Sequence, residues 1–191
     1  DFYFYFIYML HFLVPLTFAV ILWKFHSKQY WKFVFAVVGL SFAAFVTYLI
    51  YPAAPPWMAK ELGIISEPMI RVSTNIWYAM GVENYSEVYQ RLPANPVAAV
   101  PSLHSAYPFL VSLFVIKMIG FKRGFWILIY PITMWIGVVY MGEHYIIDVV
   151  LGAVYALVFY LLSQNNKVYN YTKHTIINKT RSFKSFFNNR L

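Results

Sequence analysis

Two short stretches of the chain carry groups that could do chemistry: AVPSLHSAYP at 99–108 and GEHYIIDV at 142–149. In the second, His144 and Asp148 stand four residues apart, which on a helix places them on one face. Asp148 is one of only two aspartates among 191 residues. In the first, Ser102 suits a helix N-cap and His104 falls in the first turn behind it. A histidine can attack phosphorus and hold it as a covalent phosphohistidine. A carboxylate bonded to its other ring nitrogen fixes the tautomer and stabilises positive charge on the ring. A second histidine can protonate the departing oxygen and then activate the acceptor. His144, Asp148 and His104 fit these roles in that order. The competing structural reading has Asp148 and His144 satisfying each other in a polar seam. An ionisable residue inside a span is costly, however, and function is its default explanation.

The elements that must position these groups are apolar. The chain is 61% hydrophobic and 21% aromatic, with 12% charged residues, about half the charge of a soluble domain. Apolar runs fall at roughly 2–23, 33–51, 103–119, 125–141 and 144–162, long enough to cross a bilayer core of about 30 Å. The expected fold is an all-α integral membrane bundle of about six transmembrane helices, five of them in this chain. Residues 1–163 form the membrane domain, with a loop at 52–101 carrying short interfacial helices, and 164–191 form a basic tail. The chain opens on Asp1 directly before an apolar run, and an upstream segment is expected. With no cysteine, disulfides, thiolate metal sites and cysteine nucleophiles are excluded.

The net charge of +8 would suggest nucleic acid in a soluble protein, but its distribution matters more here. Lys24, Lys28, Lys32, Lys117, Lys122, Arg123, Lys167, Lys173, Lys179, Arg181, Lys184 and Arg190 all flank the spans on one side or fill the tail. That is twelve of fifteen basic residues, and lysine and arginine flanking spans stay cytoplasmic. The tail is expected to rest against anionic headgroups. The 52–101 loop and both histidine stretches then face away from the cytoplasm, on a cell-membrane protein whose partners are lipids, not nucleic acid. Both site helices begin on that outer side, where free N–H groups and the positive dipole end favour phosphate. If one phosphate meets both histidines, His104 lies within about 10 Å of His144.

These residues carry a resemblance. PSLH at 101–104 resembles the Pro-Ser-x-His motif of the type-2 phosphatidic acid phosphatase superfamily, and HYIID at 144–148 resembles its His-x-x-x-Asp motif. With YPAAPPW at 51–57 and NPVAAVPSLHSAYP at 95–108, the chain looks closest to the inositol phosphorylceramide synthase and sphingomyelin synthase branch, over residues 45–163. The resemblance implies a six-helix core, a phosphohistidine intermediate, and no metal or other cofactor. It makes His144 the nucleophile, Asp148 its partner and His104 the acid/base. Phosphatase members carry a Lys-x6-Arg-Pro motif that is absent here, and an arginine six residues before the nucleophile, where this chain has Val138.

Phosphate still needs positive charge as the transition state develops. Lys60, Arg71 and Arg91 are the basic residues on the outer side, and with Ser102 they are the phosphate-binding candidates. Arg71 is preferred. SEPMIRVSTNIWYAM reads as a helix with Ser66 as N-cap and Pro68 in its first turn, Met69, Val72, Ile76 and Met80 forming its apolar stripe. Arg71 then falls on the opposite face. Glu143 reads as a solvated rim carboxylate, Trp57 as an interface-belt residue, and His11 as a helix-contact residue without a partner in sequence.

The leading function is an integral-membrane enzyme cleaving a lipid phosphate ester on the outer leaflet. A lipid alcohol as acceptor makes it a phosphotransferase of the inositol phosphorylceramide synthase kind. Water makes it a phosphatase for phosphatidate or polyprenyl (pyro)phosphate. The alternative of another class is a lipid or ion transporter, or a scaffold. Transporters hold such groups nearer the midplane and often show repeats, and this chain has none.

Overall fold

The computed structural model describes residues 1–82, 84 and 95–171. Its helices are α1 (Phe2–Phe25), α2 (Ser27–Ile50), α3 (Pro56–Glu61), α4 (Val72–Ala79), α5 (Leu103–Ile119), α6 (Phe121–Gly124), α7 (Ile129–Tyr140) and α8 (Ile146–Gln164), with a 3₁₀ turn at Phe125–Leu128 joining α6 to α7. Among the described residues no strand forms, only an isolated bridge between Ala53 and Ala98. Among the described residues, four stretches are long and apolar enough to cross a membrane: α1, α2, Phe121–Tyr140 and α8. The 17-residue α5 is a shorter apolar helix among them. The protein is an all-helical integral membrane bundle.

Boundaries differ from the sequence expectation where polar residues flank the spans. Ser27–Trp31 and the Phe-Lys-Arg-Gly stretch at 121–124 are helical, so they belong to spans. His26 alone separates α1 from α2. Long basic side chains reach outward from a helix end while their stems stay on apolar surface, so lysines here do not end a helix. Gly120, at φ 82°, ends α5.

The helix α5 is central and packs against α8, α7, α1 and α2. Leu22, Phe33, Leu40, Leu110, Phe114 and Ala156 interlock in the core, while Phe6, Phe12, Leu16, Val154, Val158 and Leu161 remain exposed on the outside of the bundle. Apolar packing alone drives helices together weakly in lipid, so hydroxyl pairs and small residues matter. Along α2, Ser41 meets the Tyr107 hydroxyl and Thr47 meets the Tyr155 hydroxyl, both at 2.8 Å, and the Tyr48 hydroxyl donates to the Pro101 carbonyl at 2.7 Å.

The closest approach is between α8 and the start of α5. A Cβ on Gly152 would collide with the Ser102 carbonyl oxygen. The Ser105 hydroxyl donates to the Val149 carbonyl at 2.7 Å, sealing the same contact. Gly152→Ala should therefore cost about 1–3 kcal/mol, as overpacking does, and lower the melting temperature by about 2–4 °C per kcal/mol. Thermal unfolding in detergent measures this, and a wild-type midpoint would refute the close approach.

Candidate active site

The site is built at one end of the bundle, where α5 and α8 begin and α7 ends. Ser102 caps α5, its hydroxyl oxygen accepting the Ser105 N–H at 3.2 Å. Its own N–H donates to the Asp148 carbonyl at 3.0 Å. Ser102 is fully buried. Its hydroxyl and N–H thus hold the start of α5 beside Asp148. His104 follows within that first turn.

His144 does not lie on α8, as the sequence reading had it. The helix starts at Ile146 with Tyr145 as N-cap. His144 sits in the turn before it, where Gly142 has φ 73° and the N–H groups of Glu143 and His144 both donate to the Val138 carbonyl, at 3.0 and 3.1 Å. The nucleophile candidate is thus tied by its backbone to the end of α7. Asp148 is in the first turn of α8, where an acid is favoured by the helix dipole, and its Oδ2 accepts the Tyr145 N–H at 2.8 Å, one half of a capping box. The same Oδ2 lies 3.5 Å from His144 Nδ1. The pair face each other because the turn folds back over the helix start, not because they share a helix face.

The two histidines meet directly. His104 Nδ1 and His144 Nε2 are 3.0 Å apart, far inside the reach that one shared phosphate requires. At 3.5 Å the Asp148 contact is long for a hydrogen bond, and such bonds often tighten only with substrate present. His144 and Asp148 are both buried, Asp148 completely.

A second polar group adjoins the first. Glu143 is buried, not solvated: its Oε1 accepts Ser73 Oγ at 2.7 Å and Arg71 Nε at 3.2 Å. The Arg71 guanidinium lies over the Trp57 ring at 3.9 Å, a cation–π contact that buries Trp57 beneath it. The helix expected from Ser66 begins instead at Val72, with Arg71 extended at its N-cap. Val72 and Ile76 do face inward, but Met80 is exposed. Sequence reasoning missed Glu143 as a partner because nothing in the local pattern pairs residues 71 and 143. The Trp57 backbone N–H donates to the Gly142 carbonyl at 3.1 Å, which seats α3 against the turn that carries His144.

Of the other basic candidates, Lys60 is described and is not brought in. Lys60 Nζ donates to the Ser66 carbonyl at 3.0 Å and makes no described contact with the histidines. Arg91 lies outside the described residues. From α1, by contrast, two rings enter: Tyr8, given no role in the sequence, and His11, read there as a helix-contact residue. The Tyr8 ring stacks on His104 with centroids 4.4 Å apart, and the His11 ring lies 4.0 Å from it.

A family model described as the PAP2 superfamily matches residues 1–162. The chain is 34% identical over 184 residues to the phosphoinositol dihydroceramide synthase of Bacteroides thetaiotaomicron, covering 91% of this chain and 55% of that protein. It is 24% identical over 188 residues to the inositol phosphorylceramide synthase of Candida albicans, covering 91% of this chain and 36% of that protein. The chain thus spans about half the length of the first relative and about a third of the second. No solved structure matches it. With both histidine motifs converging at one end of a helical bundle, the chain belongs to the PAP2 superfamily.

Proposed function

We propose that this chain transfers a phosphoinositol-type head group from a glycerophospholipid to the hydroxyl of a ceramide-type lipid alcohol, through a phosphohistidine. The observation that carries the reading is the 3.0 Å contact between His104 Nδ1 and His144 Nε2, with Asp148 facing the other nitrogen of His144. A proton on Nδ1, towards Asp148, leaves Nε2 with its lone pair for attack. Attack requires phosphorus about 3–3.5 Å from Nε2, so substrate exchanges the His104–His144 bond for one from His104 to the leaving oxygen. The P–O bond to the diacylglycerol breaks, His104 gives that oxygen its proton, and a P–N bond to His144 forms. The ceramide-type hydroxyl then loses its proton to His104 and attacks phosphorus, and the P–N bond breaks. Asp148 stabilises the positive ring of His144 in the intermediate.

Arg71 supplies the positive charge in place of the missing phosphatase-type basic residues. Glu143, adjacent to the nucleophile, holds it near the site in the resting state, and the Trp57 ring supports its guanidinium. Lys60 and Arg91 are the remaining candidates, and the Ser66 carbonyl already occupies Lys60. The site faces outward and the tail inward, on the strength of the basic residues clustered at the opposite ends of the helices. A proton relay for transport is disfavoured by the position of the trio at a bundle end instead of mid-depth.

Purified protein given inositol phospholipid and ceramide should form a new phospholipid that neither lipid gives alone. His104→Ala should lower the rate about 10²–10⁴-fold, the range for loss of general acid–base catalysis, and His144→Ala should abolish a labelled, acid-labile adduct. Release of head group to water without ceramide would make the chain a phosphatase instead. Transfer by His144→Ala at the wild-type rate would sink the nucleophile assignment.

Arg71→Met should reduce kcat/KM about 10²–10³-fold, as loss of one donor to a developing anion does. Glu143→Gln, which keeps the Ser73 bond, should cost less. The reverse order would place the phosphate-binding charge elsewhere.

A further inference from the structure

The superfamily motifs lie on α5 and α8 and in the turn before α8, yet α1 also reaches the acid/base histidine. His11 is a buried polar ring within the N-terminal half of the apolar α1, 3% exposed, where polar groups are costly. Its Nδ1 lies 2.6 Å from the Tyr8 carbonyl oxygen. A carbonyl can only accept, so Nδ1 carries the hydrogen and donates it. The ring is thereby tied in one orientation. One turn away on the same helix face, Tyr8 presents its ring to the same target.

That target is His104. Tyr8 stacks on it at 4.4 Å with the planes 20° apart, and His11 packs against it at 4.0 Å with the planes 55° apart. The torsion that turns an imidazole about its Cβ–Cγ bond is broad and roughly two-fold, so a histidine's own rotamer preference does not fix its ring plane. Rotation of His104 would carry Nδ1 away from His144 Nε2. Something outside the residue must hold it.

We infer that His11 is a positioning residue for His104: tied to the Tyr8 carbonyl, it clamps with the Tyr8 ring the plane in which His104 presents Nδ1 to the nucleophile and the leaving oxygen. The inference rests on the proposed role of His104 as acid/base. A displacement of about 1 Å at such a group can cost about 10²-fold in rate. The effect falls on steps in which His104 transfers a proton, and spares a leaving group that needs none.

Two readouts test this on the full chain in detergent. In spectra of protein labelled with ¹⁵N-histidine, His11→Ala should move or broaden the ring signals of His104, assigned by loss in His104→Gln. His11→Phe, which restores a ring without the tie, should shift them less. In kinetics, His11→Ala should lower kcat on inositol phospholipid about 10–100-fold with KM within about twofold. On the 4-nitrophenyl ester of inositol phosphate, whose nitrophenolate departs unprotonated, the loss in the first-turnover burst should be under about threefold. Unmoved His104 signals, or equal losses with both leaving groups, would overturn the proposal. If wild type gives no burst with the ester, the catalytic reading fails instead, while the ring signals still decide the positioning.

Discussion

The N–H of Ser102 donates to the carbonyl of Asp148, and Gly152 lets the two helix starts come close enough for it to do so. The placement of the candidate site depends on that junction. It sets the first turn of α5, with His104, against the first turn of α8, with Asp148. The turn carrying His144 then closes over both. In a bilayer there is no water to satisfy backbone groups left open at such a crossing. The helix starts are therefore satisfied by one another: Ser102 caps α5, Asp148 bonds the N–H of Tyr145, and Ser105 reaches the carbonyl of Val149. The bonds that close the fold at this end also place the histidines 3.0 Å apart.

Around this junction further elements enclose the site. The loop contributes α3 and α4, tied to the turn that carries His144 by the Trp57 N–H on the Gly142 carbonyl and by Arg71 and Ser73 on Glu143. Packed beside α4, α1 contributes Tyr8 and His11 to the ring contacts around His104. A buried ion pair offsets the cost of desolvating its charges only when further hydrogen bonds complete it, and Ser73 provides one to Glu143. Position and charge are thus coupled: the residue next to the nucleophile candidate also holds the arginine.

Much of this was legible in the chain. The long apolar runs announced helices that span a membrane, because a lipid-facing helix needs no polar face and reads as a continuous run. PSLH and HYIID marked the residues that the structure brings together at one end of the bundle, because a cap, a first-turn histidine and a first-turn acid are local features. Other features were misread for equally physical reasons. Lys28, Lys32, Lys122 and Arg123 were taken to end spans although their stems let helices continue. The α4 start was placed at Ser66 from local capping preference, whereas Arg71 is held extended by Glu143 and Trp57.

The sequence by itself determined what short range can specify: the class of the fold, the residue types with reactive groups, and the helix starts that carry them. Tertiary structure alone decided the partners. That Glu143 is buried against Arg71 and Ser73 depends on chain segments about seventy residues apart. That His11 touches His104 depends on α1 packing beside α5. Periodicity and capping act over a turn or two of helix, while a polar group buried among helices takes whatever partner the packing brings, and no local pattern records which.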